Sequence, residues 1–415
     1  MHRSWTSVGV WFGCVCLALL LCCLPSSGRA SGNVDVRYLV PGKKVIPVFC
    51  RIGHWAITDI KLPDLVVTNG HDSPLTVIRA EATGMVAGVE VVRLCMSGAP
   101  LQDAVATTAK PFNTQALPLP AVYLSMGNVL LPEGALAESN VVAAGQSVLL
   151  PLSKIAFLHH VGHAPLDAMD IALTVESGGA QSQVVFPVQL TPYVAKGNSI
   201  FPLRGDLHMA FLPLSYIHHR ASFSQEFAMD VVAANQAGAT SFTEISRPDP
   251  QRLSDYGVWG RDVLAMGDGT VVETGERFPE QAMSEPARFE NQEYVSGVLK
   301  ELVPKIGWTN AVAGNYVIIN HGNGEFSAYC HLQEGSLQVK PGDRVQQGKI
   351  IARVGNTGNS GAPHLHFQLM DSQDFFTANG LPMQFANVPA QVMIAEFPVQ
   401  ANTLSFSDNL FVSVP

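Results

Sequence analysis

Residues 315–370 read NYVIINHGNGEFSAYCHLQEGSLQVKPGDRVQQGKIIARVGNTGNSGAPHLHFQLM, and their chemistry is concentrated in a histidine pair near the end. His364 and His366 are two positions apart. Side chains alternate between the faces of a β-strand, so both imidazoles point to one face, together with Gln368. The apolar residues around them point the other way and are predicted to lie in a core: Leu365, Phe367 and Leu369. Two adjacent imidazoles on a half-buried strand are costly without a bound cation, and a divalent metal is the usual one.

Turn signals divide the rest of this stretch into short strands. Residues 316–330 are predicted to form a hairpin closed at Asn323-Gly324, a dipeptide that strongly favours a tight turn. The hairpin ends at His331, which supplies a third histidine. The glycine-rich run 354–363 then requires a tight backbone turn and leaves the histidine pair on the rim of a cleft.

The order of these motifs resembles the catalytic core of the lysostaphin-like (LytM-type) zinc endopeptidases. That family combines a His-Gly-x-Gly turn, a Tyr-x-His-Leu strand and a glycine-rich turn before Pro-His-Leu-His-Phe. The matching segments here are 321–324, 329–332 and 355–367, within a resemblance that covers about residues 201–370. The resemblance implies a β-sheet-groove peptidase domain of the duplicated hybrid motif type, a Zn²⁺ cofactor, and the peptide part of peptidoglycan as substrate.

The resemblance also implies where the remaining metal ligands lie. In the family an earlier strand carries His-x-x-x-Asp, and both residues bind zinc. Asp230 matches the aspartate, whereas Glu226 stands where the histidine is expected. Strand alternation places Glu226 on the face of Asp230, so this carboxylate can itself be a ligand. Alternatively, an upstream histidine supplies the third ligand from the preceding loop, either His218 or His219.

Relatives with a histidine upstream of a Gln-x-Phe-Ala-x-Asp strand favour the second option. The predicted metal set is therefore His219, Asp230 and His366. In the family the second histidine of His-x-His binds the metal, which leaves His364 and His331 as the predicted catalytic residues. Their expected work is to orient or deprotonate a water molecule and to stabilise an oxyanion.

The first 30 residues are predicted to be a signal peptide. A short basic start precedes an apolar run over residues 8–24, and the small residues Gly28 and Ala30 suit a cleavage site. An uncleaved membrane anchor is the alternative, because the run is close to the shortest that spans a bilayer. The expected location is the periplasm, the cell envelope or the extracellular space, with membrane contact only through this N-terminal segment.

The predicted fold class is all-β. Between residues 31 and 197, frequent short apolar strands broken by Gly, Pro, Asn and Asp indicate an immunoglobulin-like β-sandwich that folds independently. Residues 198–380 are the predicted peptidase domain, in which loops over 239–260 and 276–313 wall the cleft. Residues 381–415 are predicted to be closing strands.

Composition narrows the class of partner. The formal net charge of −9 argues against a nucleic-acid-binding protein. The content of charged residues is only 14%, which is typical of a β-rich secreted chain, and 47% hydrophobic residues are ample for packed cores. A peptide substrate remains compatible with all three values.

Two further groups of side chains carry thiol or imidazole groups. In an exported protein Cys50 and Cys95 can form a disulfide, or they remain two buried thiols, while Cys330 is predicted to be a thiol in the core. Three closely spaced histidines are predicted to lie in a surface loop that binds no metal: His159, His160 and His163.

These observations predict an exported zinc metalloendopeptidase that acts on peptidoglycan cross-links or another wall-associated peptide. The alternative is a catalytically degenerate module that binds wall peptide or regulates a partner wall hydrolase. The glutamate at position 226 motivates that alternative, because it departs from the family's ligand pattern.

Overall fold

The computed structural model of the chain describes residues 33–39, 42–52, 54–114, 134–155, 157–204, 207–211, 219, 224–236, 242–244, 252–280, 292–375, 377–387, 393–394, 399–400, 403–404 and 409–413. The predicted signal peptide, residue His218 and parts of both predicted cleft loops lie outside these residues. Among the helices of the described part, none is long and apolar enough to cross a membrane.

The first half of the chain is built mainly from antiparallel strands. Its described elements are β1 (Val34–Tyr38), β2 (Val48–Ile52), β3 (Trp55–Lys61), β4 (Leu65–Asn69), β5 (Leu75–Val86), β6 (Val89–Ser97), α1 (Gly98–Thr114), β7 (Val141–Val142), β8 (Ser147–Leu150), α2 (Leu152–Ile155), β9 (Phe157–Gly162), β10 (Ala168–Ser177) and β11 (Ala180–Val188). They form three sheets, in the orders β1-β4-β8, β2-β3-β9 and β11-β10-β5-β6, with β7 added beside β5. The inward side chains of all three sheets share one hydrophobic core. The immunoglobulin-like type of this sandwich stays a prediction.

Helix α1 is an element that the strand-based analysis missed. Its apolar residues recur at helical spacing and form one stripe: Leu101, Val105, Ala109 and Phe112. Ala109 and Phe112 pack on Val66 and Leu149, which lie on β4 and β8. Strand β4 is therefore buried on both faces, which explains its continuous apolar run.

The second half of the chain is organised around one large sheet. Its described elements are β12 (Leu207–Phe211), β13 (Met229–Gln236), β14 (Phe242–Glu244), a 3₁₀ helix (Leu253–Asp255), β15 (Asp262–Leu264), β16 (Gly269–Gly275), α3 (Gln292–Ala313), β17 (Asn315–Asn320), β18 (Phe326–Leu332), β19 (Arg344–Val345), β20 (Ile350–Arg353), β21 (Leu365–Met370), β22 (Gly380–Leu381), β23 (Met393–Ile394), β24 (Val399–Gln400), β25 (Thr403–Leu404) and β26 (Asn409–Ser413). The main order is β19-β16-β17-β18-β21-β13-β12-β26-β23. The C-terminal strand β26 thus pairs with β12 inside this sheet. Within the described part, no sheet mixes strands from the two halves. The predicted all-β fold class is confirmed.

The two faces of the large sheet bury different side chains. One face packs against the β15–β20 pair and contains Leu365, Phe367 and Leu369, as predicted. The other face carries a smaller core that includes Met370 and the buried free thiol of Cys330. Because alternation along β21 sends Leu365, Phe367 and Leu369 to the first face, His366 and Gln368 lie on the second.

Two predictions for the first half were wrong. Cys95 is a free, exposed thiol on β6, so it is neither in a disulfide nor buried. His159 and His160 lie on β9, where they pair with residues of β3, and not in a loop. Gly162 ends this strand without preventing it, because the pairing with β3 outweighs a local break signal.

Candidate functional site

Three polar side chains lie in one row across neighbouring strands of the large sheet. Asp230 on β13 is directly opposite His366 on β21, and His366 is directly opposite Cys330 on β18. Directly opposed residues of antiparallel strands share a face, so the carboxylate and the imidazole meet. The Nδ1 of His366 lies 3.0 Å from Oδ1 of Asp230. Burial and the Asp230 carboxylate hold the pKa of the Cys330 thiol well above its usual value, which keeps this neighbour neutral.

His219 reaches the same carboxylate from a part of the chain that precedes β13. Its Nε2 lies 3.2 Å from Oδ2 of Asp230, and its ring centroid lies 4.7 Å from that of His366. One ligand atom from each of His219, Asp230 and His366 fits within a mutual distance of 4.8 Å. The structure therefore brings together the three residues predicted as the metal set.

His364 stands immediately before β21, on the cleft side of the sheet. Its Nδ1–H donates to the carbonyl of Ala362 over 2.8 Å, and the hydroxyl of Ser360 lies 3.2 Å from the same nitrogen. A donor role for Nδ1 leaves the lone pair on Nε2. That Nε2 lies 3.4 Å from Oδ1 of Asp230, so it faces the candidate metal site.

His331 also faces this site, but by a route that strand alternation does not predict. On a regular strand His331 would share the face of Tyr329, whose ring is buried in the opposite core. His331 instead has a φ of 58°, in the left-handed region that non-glycine residues rarely adopt. The turned backbone places its ring 4.6 Å from that of His364 and 5.7 Å from that of His366. Such a strained conformation is typical of functional positions.

The hydrogen bonds of His331 and its burial define its chemical state. The Nδ1–H donates to the carbonyl of Thr357 over 2.7 Å, which leaves Nε2 as the nitrogen available to the cleft. Burial is the main cause that lowers the pKa of His331 well below its usual value, and the neighbouring His364 and His366 lower it further. The imidazole is therefore neutral and able to accept a proton.

The glycine-rich turn before β21 is held against the end of helix α3. Gly358 has a φ of 77°, and a Cβ on this residue would clash with the backbone of Gly314. Asn359 donates its N–H to the carbonyl of Val312 over 2.9 Å. This close contact fixes the carbonyl of Thr357, which in turn orients His331.

Gln368 was predicted on the correct face of β21, but its role as a partner of His366 was not predicted. The Nε2–H of His366 donates to Oε1 of Gln368 over 2.8 Å. The amide of Gln368 in turn donates to the carbonyl of Ser224 over 3.3 Å. Partners of this kind fix the tautomer of a metal-binding histidine. The signal in the sequence was the position of Gln368, two residues after His366.

The donor set suits a cation. With Nε2 of His366 engaged as a donor, its Nδ1 lone pair faces the carboxylate of Asp230 at 3.0 Å. Two acceptors at that distance repel unless a proton or a metal ion lies between them. Two imidazoles and one carboxylate match the ligands that zinc binds, and they leave a coordination position for water.

Glu226 does not take part in this group. The prediction that Glu226 shares the strand face of Asp230 was wrong. Strand β13 begins at Met229, so Glu226 lies in the preceding turn. Its Oε2 instead forms an ion pair of 2.7 Å with Nζ of Lys43, from the first half of the chain.

Comparisons with known proteins agree with the motif analysis. Residues 288–378 match the sequence profile of peptidase family M23. Over 58 residues the chain is 47% identical to the peptidoglycan DD-endopeptidase ShyA of Vibrio cholerae serotype O1, which covers 14% of this chain and 13% of ShyA. Over 84 residues it is 40% identical to the glycyl-glycine endopeptidase ALE-1 of Staphylococcus capitis, which covers 20% of this chain and 23% of ALE-1. The matches to these relatives span less than a quarter of the relatives' own length.

Among solved structures, the catalytic domain of lysostaphin from Staphylococcus simulans is 25% identical over 33% of this chain and 85% of that domain, with a TM-score of 0.20. The sequence matches confirm the predicted resemblance to the lysostaphin-like peptidases.

Proposed function

We propose that the chain, whose residues 288–378 match the sequence profile of peptidase family M23, is an exported zinc metalloendopeptidase that cleaves peptide cross-links of peptidoglycan. The observation that carries this proposal is the convergence of His219, Asp230 and His366 within 4.8 Å. Two further histidines lie beside this group: Nε2 of His364 is 3.4 Å from Oδ1 of Asp230, and the ring of His331 is 4.6 Å from that of His364. The substrate class comes from the relatives, one of which is named a peptidoglycan DD-endopeptidase and another a glycyl-glycine endopeptidase.

In the proposed mechanism, His219, Asp230 and His366 would hold a zinc ion. The ion would supply Lewis-acid chemistry, namely a lowered pKa of a bound water and polarisation of a peptide carbonyl. The neutral His331 accepts the proton of the attacking water on its Nε2, because its Nδ1 is committed to Thr357. Once protonated, His331 can pass that proton to the leaving amine.

His364 has the same arrangement, with Nδ1 committed to Ala362 and Nε2 toward Asp230. When His364 takes up a proton on Nε2 and becomes an imidazolium, it donates a hydrogen bond to the developing oxyanion. Gln368 keeps the Nδ1 lone pair of His366 directed at the metal position.

A catalytically degenerate module that binds peptide is the less favoured reading. It rested on Glu226 in place of a ligand histidine. The position of His219 beside Asp230 supports the enzyme instead, because a third nitrogen ligand is at hand without Glu226. Export to the periplasm, envelope or cell surface follows from the apolar leader and from the substrate proposed.

The proposal is tested with the purified chain after removal of the leader. We expect about one zinc ion per chain by elemental analysis and release of cross-linked peptides from isolated peptidoglycan, identified by mass spectrometry. Two defined substrates separate the relatives' specificities: a direct D-alanyl cross-link and a glycine-bridged one. Chelation should abolish cleavage and added zinc should restore it. Zinc-loaded protein that cleaves neither substrate nor whole peptidoglycan would refute the enzymatic function.

A further inference from the structure

A short segment of the first half, residues 43–46, contacts the second half next to the candidate metal site. We call this segment the clamp. The Nζ of Lys43 lies 2.7 Å from Oε2 of Glu226, and the two side chains are only 5% and 2% exposed. A buried ion pair between residues 183 positions apart in the sequence joins the two halves at this point.

The clamp is held at two further points. The backbone N–H of Lys44 donates to Oδ1 of Asn379 over 2.9 Å, and its Nζ lies 2.6 Å from Oδ2 of Asp371. Ile46 is buried in the core of the second half, among residues of β13 that include Met229 and Val231.

These contacts fall on the two strands that carry the proposed ligands. Glu226 lies in the turn that leads directly into β13, four residues before Asp230. Asp371 directly follows β21, which carries His366. The clamp therefore touches the start of one ligand strand and the end of the other, and these strands pair with each other.

The turn at residues 224–227 also reaches His366 through a chain of hydrogen bonds. The carbonyl of Ser224 accepts the hydrogen bond from Gln368, and Gln368 accepts the hydrogen bond from His366. A shift of this turn would move Gln368 and with it the imidazole. Lys43 is thus linked to Asp230 along the chain from Glu226, and to His366 through the turn that contains Glu226 and through Gln368.

Energetic considerations argue that the ion pair of Lys43 and Glu226 does more than stabilise the fold. Removing two charges from water costs free energy that their attraction in the interior often fails to offset, so an apolar pair of similar size would stabilise the fold equally well. A buried ion pair does restrict geometry, because moving one charge away leaves its partner buried and uncompensated, which is strongly destabilising.

We propose that Lys43 is a positioning residue for the metal site, and that its ion pair with Glu226 sets the spacing of Asp230 and His366. This inference rests on the proposed function, since it assumes that zinc binds there. The first half of the chain is then a structural component of the peptidase site, and the peptidase half alone binds zinc more weakly than the full chain.

The test uses the full chain without its leader and compares Lys43→Met, Glu226→Gln and the charge-exchanged pair Lys43→Glu with Glu226→Lys. Zinc affinity is measured by competition with a chelator, and the ligand geometry by the absorption spectrum of the Co²⁺-loaded protein. We expect Lys43→Met to weaken zinc binding about 10- to 100-fold, as for other residues that orient metal ligands, and to alter the Co²⁺ spectrum. The charge-exchanged pair should recover most of the affinity.

Lys305→Met is the matched control, because Lys305 forms an exposed ion pair of 2.8 Å with Glu301 on helix α3. It should leave zinc affinity and the Co²⁺ spectrum unchanged. If Lys43→Met does not fold, the double variant Lys43→Met with Glu226→Gln replaces it, since no unpaired charge is then buried. The double variant should fold and still bind zinc more weakly.

Unchanged zinc affinity and an unchanged Co²⁺ spectrum in folded Lys43 variants would overturn the inference, even if their melting temperature falls. That outcome leaves the proposed function intact when the wild-type chain binds zinc and cleaves peptidoglycan. A wild-type chain that binds no zinc would overturn both.

Discussion

Two histidine-rich regions of this molecule have similar local sequences and different surroundings. His159 and His160 are consecutive on β9, so they point to opposite faces of their sheet. His364 and His366 are two positions apart and point to the same face. The imidazole of His159 is 50% exposed and has one carboxylate neighbour, with its Nδ1 3.0 Å from Oδ1 of Asp59.

The difference lies in what the neighbouring strands add. Across from His366 stands Asp230, and His219 joins them from the part of the chain that precedes β13. Within the described part of the chain, this is the only place where three metal-binding side chains converge. His163, in contrast, stacks against the exposed Trp55 at a ring distance of 4.9 Å. Histidines close in sequence therefore indicate a metal site only when the strand register supplies further ligands.

The largest expected effect comes from removing the shared carboxylate. Asp230→Ala should abolish detectable cleavage, a loss of about 10⁴-fold or more, because both the activated water and the polarised carbonyl depend on the metal. Elemental analysis should show the loss of zinc in parallel. His159→Ala, in the other region, should retain zinc and activity, and zinc loss in that variant would contradict the comparison.

The next effect concerns His331 and His364, the two histidines proposed to act on water and on the oxyanion. His331→Ala and His364→Ala should each lower kcat/KM about 10²- to 10⁴-fold, the range for loss of general acid–base catalysis. Both variants should keep their zinc, since neither residue belongs to the proposed ligand set. If either variant loses zinc instead, that histidine is a ligand and the assignment of roles must be exchanged.

A smaller effect is expected from the partner of His366. Gln368→Leu removes the acceptor that fixes its tautomer, so zinc affinity should fall about 10- to 100-fold. Chelator competition gives the affinity directly. Gln181→Leu provides a control, because Gln181 pairs with Glu176 on the exposed surface of the first half. Equal affinities for wild-type and Gln368→Leu protein would show that Gln368 does not orient His366.

The smallest effect concerns a histidine outside both regions. His321 donates from Nδ1 to the carbonyl of Asp268, and burial lowers its pKa below the ordinary value of 6.5. The unfolded chain therefore takes up this proton first as the pH falls. The stabilisation is complete above about pH 6.5 and is lost below it, at no more than about 1.4 kcal/mol per pH unit.

Urea unfolding of the wild-type chain and of His321→Gln between pH 7.5 and 5 measures this contribution. The wild-type protein should lose stability more steeply as the pH falls below 6.5, and the variant should show a smaller slope. Identical slopes would mean that His321 has the same proton affinity in the folded and unfolded chain.

Local sequence rules predicted the centre of the site well where the backbone is regular. The two-residue spacing of His364 and His366 and the apolar residues between them determine which face of β21 is polar. The hairpin around Asn323 and the burial of Cys330 follow from equally local signals. Helix α1 was also readable, from its apolar stripe at helical spacing, but strand signals on both sides obscured it.

Cross-strand neighbours, in contrast, depend on pairings between distant segments. That Asp230 stands opposite His366 follows from the register of β13 and β21, whose strands are separated by 136 positions. The family resemblance pointed to this pair, whereas local sequence patterns do not predict the register between strands that are distant in the chain. The resemblance also predicted His331 at the cleft, whereas strand alternation along β18 would turn its side chain to the opposite face. Its left-handed backbone breaks that alternation.

The amino-acid sequence by itself determined the polar face of β21, the hairpin that ends at His331, and the peptidase resemblance, because these depend on side-chain periodicity and turn chemistry within a few residues. Tertiary structure alone decided that Glu226 pairs with Lys43, and that His219 and not Glu226 lies beside Asp230. A buried charge needs an opposite charge nearby, and which one it finds depends on how the two halves of the chain pack, not on their local sequence.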